Sequence, residues 1–89
     1  MRTVRYTKQF KKDYKRAKSR GHNETRLKNV IEQLANNQPL PIQYRDHELI
    51  GNYAGTRECH IEPDWLLLYR FVEDTELVLI RTGSHSDLF

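Results

Sequence analysis

Three short apolar runs near the C-terminus constrain this chain most: Arg57-Glu-Cys-His-Ile61, Trp65-Leu-Leu-Leu-Tyr-Arg-Phe71 and Leu77-Val-Leu-Ile-Arg-Thr82. They are separated by Glu62-Pro63-Asp64 and Glu73-Asp74-Thr75 and closed by Gly83. Runs of this length, rich in branched and aromatic residues and bounded by turn formers, read as strands of an antiparallel meander. Proline favours the first central position of a tight turn, so Pro63-Asp64 sets Glu62 opposite Trp65 and His60 opposite Leu67. A three-residue loop, Glu73 to Thr75, then sets Val72 opposite Glu76 and Leu67 opposite Arg81. A one-residue slip would invert every side chain. In this register His60 and Arg81 share one face, and Cys59, Ile61, Leu66, Leu68, Val78 and Ile80 form the expected core face. Leu67, Tyr69, Leu77 and Leu79 are left as an exposed apolar face of the kind that marks a binding surface.

The preceding residues supply what such a sheet must be packed against. Thr3-Val-Arg-Tyr6 alternates and reads as an edge strand, with Arg2 and Arg5 discouraging further pairing. Thr7 is a candidate N-cap for a helix from Lys8 to about Ser19, with Phe10, Tyr14 and Ala17 on one stripe and Gly21 as its stop. Asn23 caps a second helix, Glu24 to about Asn36, whose Leu27, Val30, Ile31 and Leu34 make a single buried stripe. From Asn37 to Thr56 the chain reads as irregular, since Pro39 and Pro41 forbid helix, and a loop of that length is often functional. The fold class expected is α+β: a two-helix hairpin on a small antiparallel sheet, in the order β-α-α-β-β-β, as one domain over residues 1–89. The ending Leu88-Phe89 suits docking or ligand contact better than fraying.

Charge is unevenly divided. Residues 1–45 hold twelve Lys or Arg against Asp13, Glu24 and Glu32, whereas residues 46–89 hold three Arg against nine acids. Between Lys8 and Arg20 seven cations stand against one acid, which points Lys8, Lys11, Lys12, Lys15 and Lys18 toward a polyanion. A solvated helix face is the bland alternative. A single Cys59 excludes an internal disulfide and zinc-finger spacing and fits a reducing cytoplasm. There is no secretory apolar region and no run near the ~18 residues of a membrane span, so the mature chain is expected to begin at Met1 and to involve no membrane.

His47, His60 and His85 lie in the predicted loop or at the sheet edge. Imidazole takes and gives protons near neutral pH, and metal-free RNA cleavage needs a base for the 2′-hydroxyl, an acid for the departing 5′-oxygen and a cation on the phosphorane. Together with Asp64 and Arg81 these imidazoles form a sufficient set. Each has a bland reading: His60 as a structural histidine, Asp64 as a turn former, Arg81 as a partner of Glu58 or Glu62, Trp65 as core, and Cys59 as a small hydrophobe. His47, His60, Asp64 and His85 are also plausible zinc ligands by type, but their spacing is not that of a metal motif. No metal or cofactor is expected.

The motifs Asp46-His47-Glu-Leu49, His60-Ile-Glu-Pro-Asp64-Trp65 and Arg81-Thr-Gly-Ser-His85, with the terminal Leu88-Phe89, resemble the YafQ branch of the RelE-like bacterial toxins along essentially the whole chain. The resemblance implies a ribosome-dependent endoribonuclease that cuts messenger RNA in the decoding site and is restrained by a cognate antitoxin. It implies catalytic roles for His47, His60, Asp64, Arg81 and His85 and a substrate contact for Phe89, and Trp65 joins these as a candidate stacking surface. It also gives the lysine-rich helix a ribosomal RNA target, and it implies a monomer that becomes a hetero-oligomer with its antitoxin. Two other readings are a binding toxin of the same fold that inhibits gyrase, as the ParE branch does, and a plain RNA-binding domain.

Overall fold

The computed structural model describes residues 1–89. Strand β1 (Thr3–Tyr6) leads into helices α1 (Lys8–Ser19) and α2 (Glu24–Ala35). A segment with two short 3₁₀ turns follows, holding a two-residue strand β2 (His47–Glu48), and then come β3 (Arg57–Glu62), β4 (Trp65–Val72), β5 (Glu76–Gly83) and a terminal helical turn α3 (His85–Leu88). The five strands form one sheet in the order β1-β5-β4-β3-β2. All pairings are antiparallel except β1 with β5. No helix is long and apolar enough to cross a membrane.

Local chemistry explains the helix ends. The Thr7 hydroxyl accepts from the Phe10 N–H at 2.9 Å and donates to the Ile80 carbonyl at 2.8 Å, so the cap also fastens α1 to the sheet. The Asn23 side chain accepts from the Thr25 N–H at 2.9 Å. Both helices begin at the residue expected, and each supplies a buried stripe: Phe10 and Ala17 from α1, Leu27, Val30 and Leu34 from α2. Burying each large apolar side chain contributes about 1.5–3 kcal/mol.

Both turns form as expected: Glu62 pairs with Trp65 and Val72 with Glu76. The strands beyond them do not keep the simple register. One extra residue in β3 at Ile61 pairs His60 with Leu66, and one in β5 at Ile80 pairs Arg81 with Leu68. Each is a β-bulge, which sets two residues against one and moves the following side chains to the other face. The expected core face is therefore wrong for the middle and last strands. Leu67, Tyr69, Leu77 and Leu79, expected to be exposed, are fully buried beneath the helices with Cys59, Ile61 and Trp65. Leu66, Leu68 and Ile80 lie on the opposite face, in a smaller cluster with Leu49, Tyr53 and Leu88. The exposed apolar face that hinted at a partner surface does not exist. Leu66 and Leu68 have the same parity, so the two bulges compensate and His60 and Arg81 still share a face.

Candidate active site on the sheet face away from the helices

The three histidines come together through β2, β3 and α3. Strand β2 sets His47 opposite Glu58 on β3. His60 lies two residues further along the same strand, and its row continues through Leu66 to Gly83, where the chain turns into α3 and presents His85. Ring centroids are 6.4 Å apart for His47 and His60 and 5.6 Å for His60 and His85. The imidazoles form one continuous row.

Their polar partners differ. Glu58, buried at 5% exposure, lies between two rings, with Oε1 at 3.4 Å from His47 Nε2 and 3.2 Å from His60 Nε2. The Nδ1 atoms of His47 and His60 face the Arg45 and Pro63 carbonyls at 2.6 and 3.3 Å. At the other end, Asp64 Oδ1 accepts from the His85 backbone N–H at 3.0 Å and lies 2.7 Å from His85 Nδ1. These contacts, the backbone N–H foremost, hold the Asp64 carboxyl below its ordinary range. They also leave His85 Nε2 with no protein partner, on an exposed side chain. Ser84 and Asp87 form a reciprocal capping box that fixes the start of α3, and Arg20, the C-cap of α1, grips Asp87 at 2.6 Å.

Arg81 lies on β5 at a register position on the same face as the row. Strand β1 ends at Tyr6, paired with Leu79, so the β5 edge beyond it is open and the guanidinium reaches around it to α1. There Nε and Nη2 donate to Asp13 at 3.1 and 3.2 Å. The sequence offered Glu58 or Glu62 as its carboxylate, but Glu58 serves the histidines and Glu62 lies 3.3 Å from His22. Within the site, Asp64 serves His85, whereas His60 meets Glu58 and the Pro63 carbonyl.

Burial pushes the Asp13 carboxyl upward, but hydrogen bonds from Arg81, Gln9 and the Thr82 N–H outweigh it and leave the group below the usual carboxylate range. A carboxyl with a depressed folded value adds stability that is complete above its unfolded value, near ~3.9, and is lost as pH falls through the folded value. The Asp13→Asn variant should therefore show a shallower dependence of melting temperature on pH between about 5 and 2 than the wild type. Equal slopes in the two proteins would refute this account of the site.

Phe89 is 60% exposed and meets Tyr53 edge-on, with centroids 5.5 Å apart, beside a buried Leu88. Lys8, Lys11, Lys12, Lys15 and Lys18 are all exposed along α1. Trp65 departs from its assignment as a substrate contact. It is 1% exposed under the helices, stacked on His22 at 4.4 Å, with Nε1–H donating to the Thr82 hydroxyl at 2.9 Å. A ring buried there has no face to offer a base. No three of the His, Cys, Asp or Glu side chains converge closely enough to hold a metal ion. Cys59 is buried, and burial pushes its thiol up, away from reactivity.

Three neighbours of the site escaped the sequence reading. Glu58 was signalled by period two, because residues 58 and 60 of one strand share a face. Asp13 was signalled as the lone acid in a basic helix, three residues after Phe10 on the inward stripe. Tyr53, whose hydroxyl donates to the Leu88 carbonyl at 3.2 Å and lies beside Arg81, left no signal in its irregular segment.

Similarity to known proteins extends along the whole chain. Residues 2–89 match the family described as the bacterial toxin of type II toxin–antitoxin system, YafQ. The mRNA interferase toxin YafQ of Escherichia coli is 43% identical over 89 residues, covering 99% of this chain and 96% of that protein. The toxin in the crystal structure of the E. coli DinJ–YafQ complex superposes with a TM-score of 0.91 at 41% identity, covering 100% of this chain and 99% of that one. A metal-bound toxin from Helicobacter pylori superposes at 0.93 with 42% identity and complete coverage of both chains.

Proposed function

From the premise that this chain belongs to the YafQ family of bacterial type II toxin–antitoxin toxins, we propose that it is an endoribonuclease that cleaves messenger RNA on the ribosome, in the cytoplasm, by acid–base chemistry without a metal. The observation that carries this reading is the unbroken row His47–His60–His85, flanked by Arg81 on the same sheet face.

In the reaction proposed, the 2′-hydroxyl oxygen attacks the adjacent phosphorus while a base takes its proton. The bond from phosphorus to the 5′-oxygen breaks, and an acid protonates that oxygen. The products are a 2′,3′-cyclic phosphate and a 5′-hydroxyl. His85 is the acid: Asp64 orients it through Nδ1, and its free Nε2 is the proton-bearing atom that reaches the leaving group. His60 or His47 is the base: a ring nitrogen turns from its present acceptor to take the 2′-hydroxyl proton, and the Glu58 carboxylate beside both rings stabilises the imidazolium that results. Arg81 neutralises the phosphorane through the N–H groups that Asp13 does not occupy. Phe89 offers an exposed ring for stacking at the rim. The α1 lysines hold the ribosomal RNA backbone, a contact that weakens with salt. The toxin is a monomer that a cognate antitoxin binds as a hetero-oligomer, a reading supported by the E. coli DinJ–YafQ toxin–antitoxin complex.

The test is purified protein added to ribosomes programmed with an end-labelled messenger. Cuts are expected in the decoding site, with 5′-hydroxyl and cyclic phosphate ends. They should require the ribosome and persist with a chelator selective for transition metals over magnesium. Cleavage lost to the chelator and restored by zinc or copper would replace acid–base chemistry with metal chemistry. Intact messenger together with impaired DNA supercoiling by gyrase would replace the reading with the binding toxin.

A further inference from the structure

Helix α1 presents a row of lysines to solvent, yet its inner side carries a different device. Asp13 is 1% exposed. Its two oxygens accept from Gln9 Nε2 at 3.0 Å, Arg16 Nη2 at 2.9 Å, Arg81 Nε at 3.1 Å, Arg81 Nη2 at 3.2 Å and the Thr82 N–H at 3.3 Å. A carboxylate offers about four lone-pair sites, so this one is saturated. Arg16 Nη1 lies 4.0 Å from Asp87, which Arg20 also grips. Arg16 and Arg20, counted among the seven cations of the basic stretch, are therefore struts between α1 and α3 as much as surface charge. Both Arg81 and the turn that carries His85 are braced against one helix.

We propose that Asp13 is a positioning residue for Arg81, holding the guanidinium fork so that its unoccupied N–H groups point to the scissile phosphate. The inference rests on the ribonuclease reading above. The reason is geometric: an arginine side chain has four rotatable bonds, and two donors fixed on a buried carboxylate remove most of that freedom. An asparagine at position 13 retains the shape but turns an amide N–H₂ toward the guanidinium, so one of the two contacts becomes donor against donor. Misplacing a transition-state cation by about 1 Å costs roughly 10²-fold in rate.

A residue that merely staples a helix to a sheet would also be buried and bonded, so the experiment is a double-mutant cycle in single-turnover cleavage on programmed ribosomes. Wild type, Asp13→Asn, Arg81→Ala and the double variant are compared, with ribosome affinity and melting temperature measured for each. The expected result is a loss of about 10²-fold for Asp13→Asn at unchanged ribosome affinity, and no further loss when Asp13→Asn is added to Arg81→Ala. Losses that multiply in the double variant, or wild-type cleavage by Asp13→Asn beside an inactive Arg81→Ala, would overturn the positioning role alone. Unaltered cleavage by Arg81→Ala would instead overturn the clamp in the ribonuclease reading. If Asp13→Asn does not fold, the wild-type protein still decides: the Arg81 Nε–H resonance should exchange slowly with solvent, and fast exchange would overturn the inference.

Discussion

Replacing His85 with alanine should lower single-turnover cleavage of ribosome-bound messenger by about 10² to 10⁴-fold, the range for a positioned acid, while ribosome affinity and melting temperature stay near wild type. The side chain is exposed, and its only hydrogen-bond partner is an exposed Asp64, so its removal leaves no cavity and no buried unpaired charge. The α3 turn is held by the capping box and by Arg20 on Asp87, neither of which uses the imidazole. Asp64→Asn should give a smaller loss, because the amide still accepts from the His85 backbone N–H but does not stabilise an imidazolium. Full cleavage by His85→Ala would refute the assignment of the acid. A companion loss of ribosome affinity would move His85 from chemistry to binding.

Trp65→Ala should be the most destabilising single substitution proposed for this chain, at about 3–5 kcal/mol. Each kcal/mol moves the melting temperature of a domain this size by about 4–8 °C, so a fall of more than about 12 °C is expected. The ring lies between His22 and the core leucines, and its indole N–H is satisfied by a Thr82 hydroxyl that itself donates to the Leu66 carbonyl at 2.7 Å. Trp65→Phe should recover most of the stability and leave the cleavage rate of the folded fraction within a few-fold of wild type, on the ~1 kcal/mol scale of a single hydrogen bond. A variant that folds as wild type but loses cleavage would return Trp65 to the substrate side of the sheet. Differential scanning calorimetry with single-turnover assays on the same preparations separates the two.

The elements themselves were legible in the residues because their signals are local. Thr7 and Asn23 as caps, the apolar stripes of α1 and α2, the Pro63-Asp64 turn and the three-residue loop before Glu76 each depend on neighbours within a few positions, and each was found where expected. The motifs His60-Ile-Glu-Pro-Asp64 and Arg81-Thr-Gly-Ser-His85 likewise marked the strands that meet at the site. The placement of β2 was not legible, since a strand of two residues has no period to detect, and it takes its place only by pairing with Arg57 and Glu58.

What tertiary structure alone decided is which face each side chain occupies and which charge it meets. The bulge at Ile61 inverted the assignment of inner and outer leucines, because a sheet face is a parity and one inserted residue reverses it, and the bulge at Ile80 returned Arg81 to the face of His60. Partners for Arg81, His60 and His85 were beyond the sequence for a related reason. Nine acids stand in the second half of the chain, but the carboxylate that holds Arg81 comes from the basic helix sixty-eight positions earlier. Composition and spacing identify which groups are present; packing of α1 on the open edge of β5 determines which of them meet.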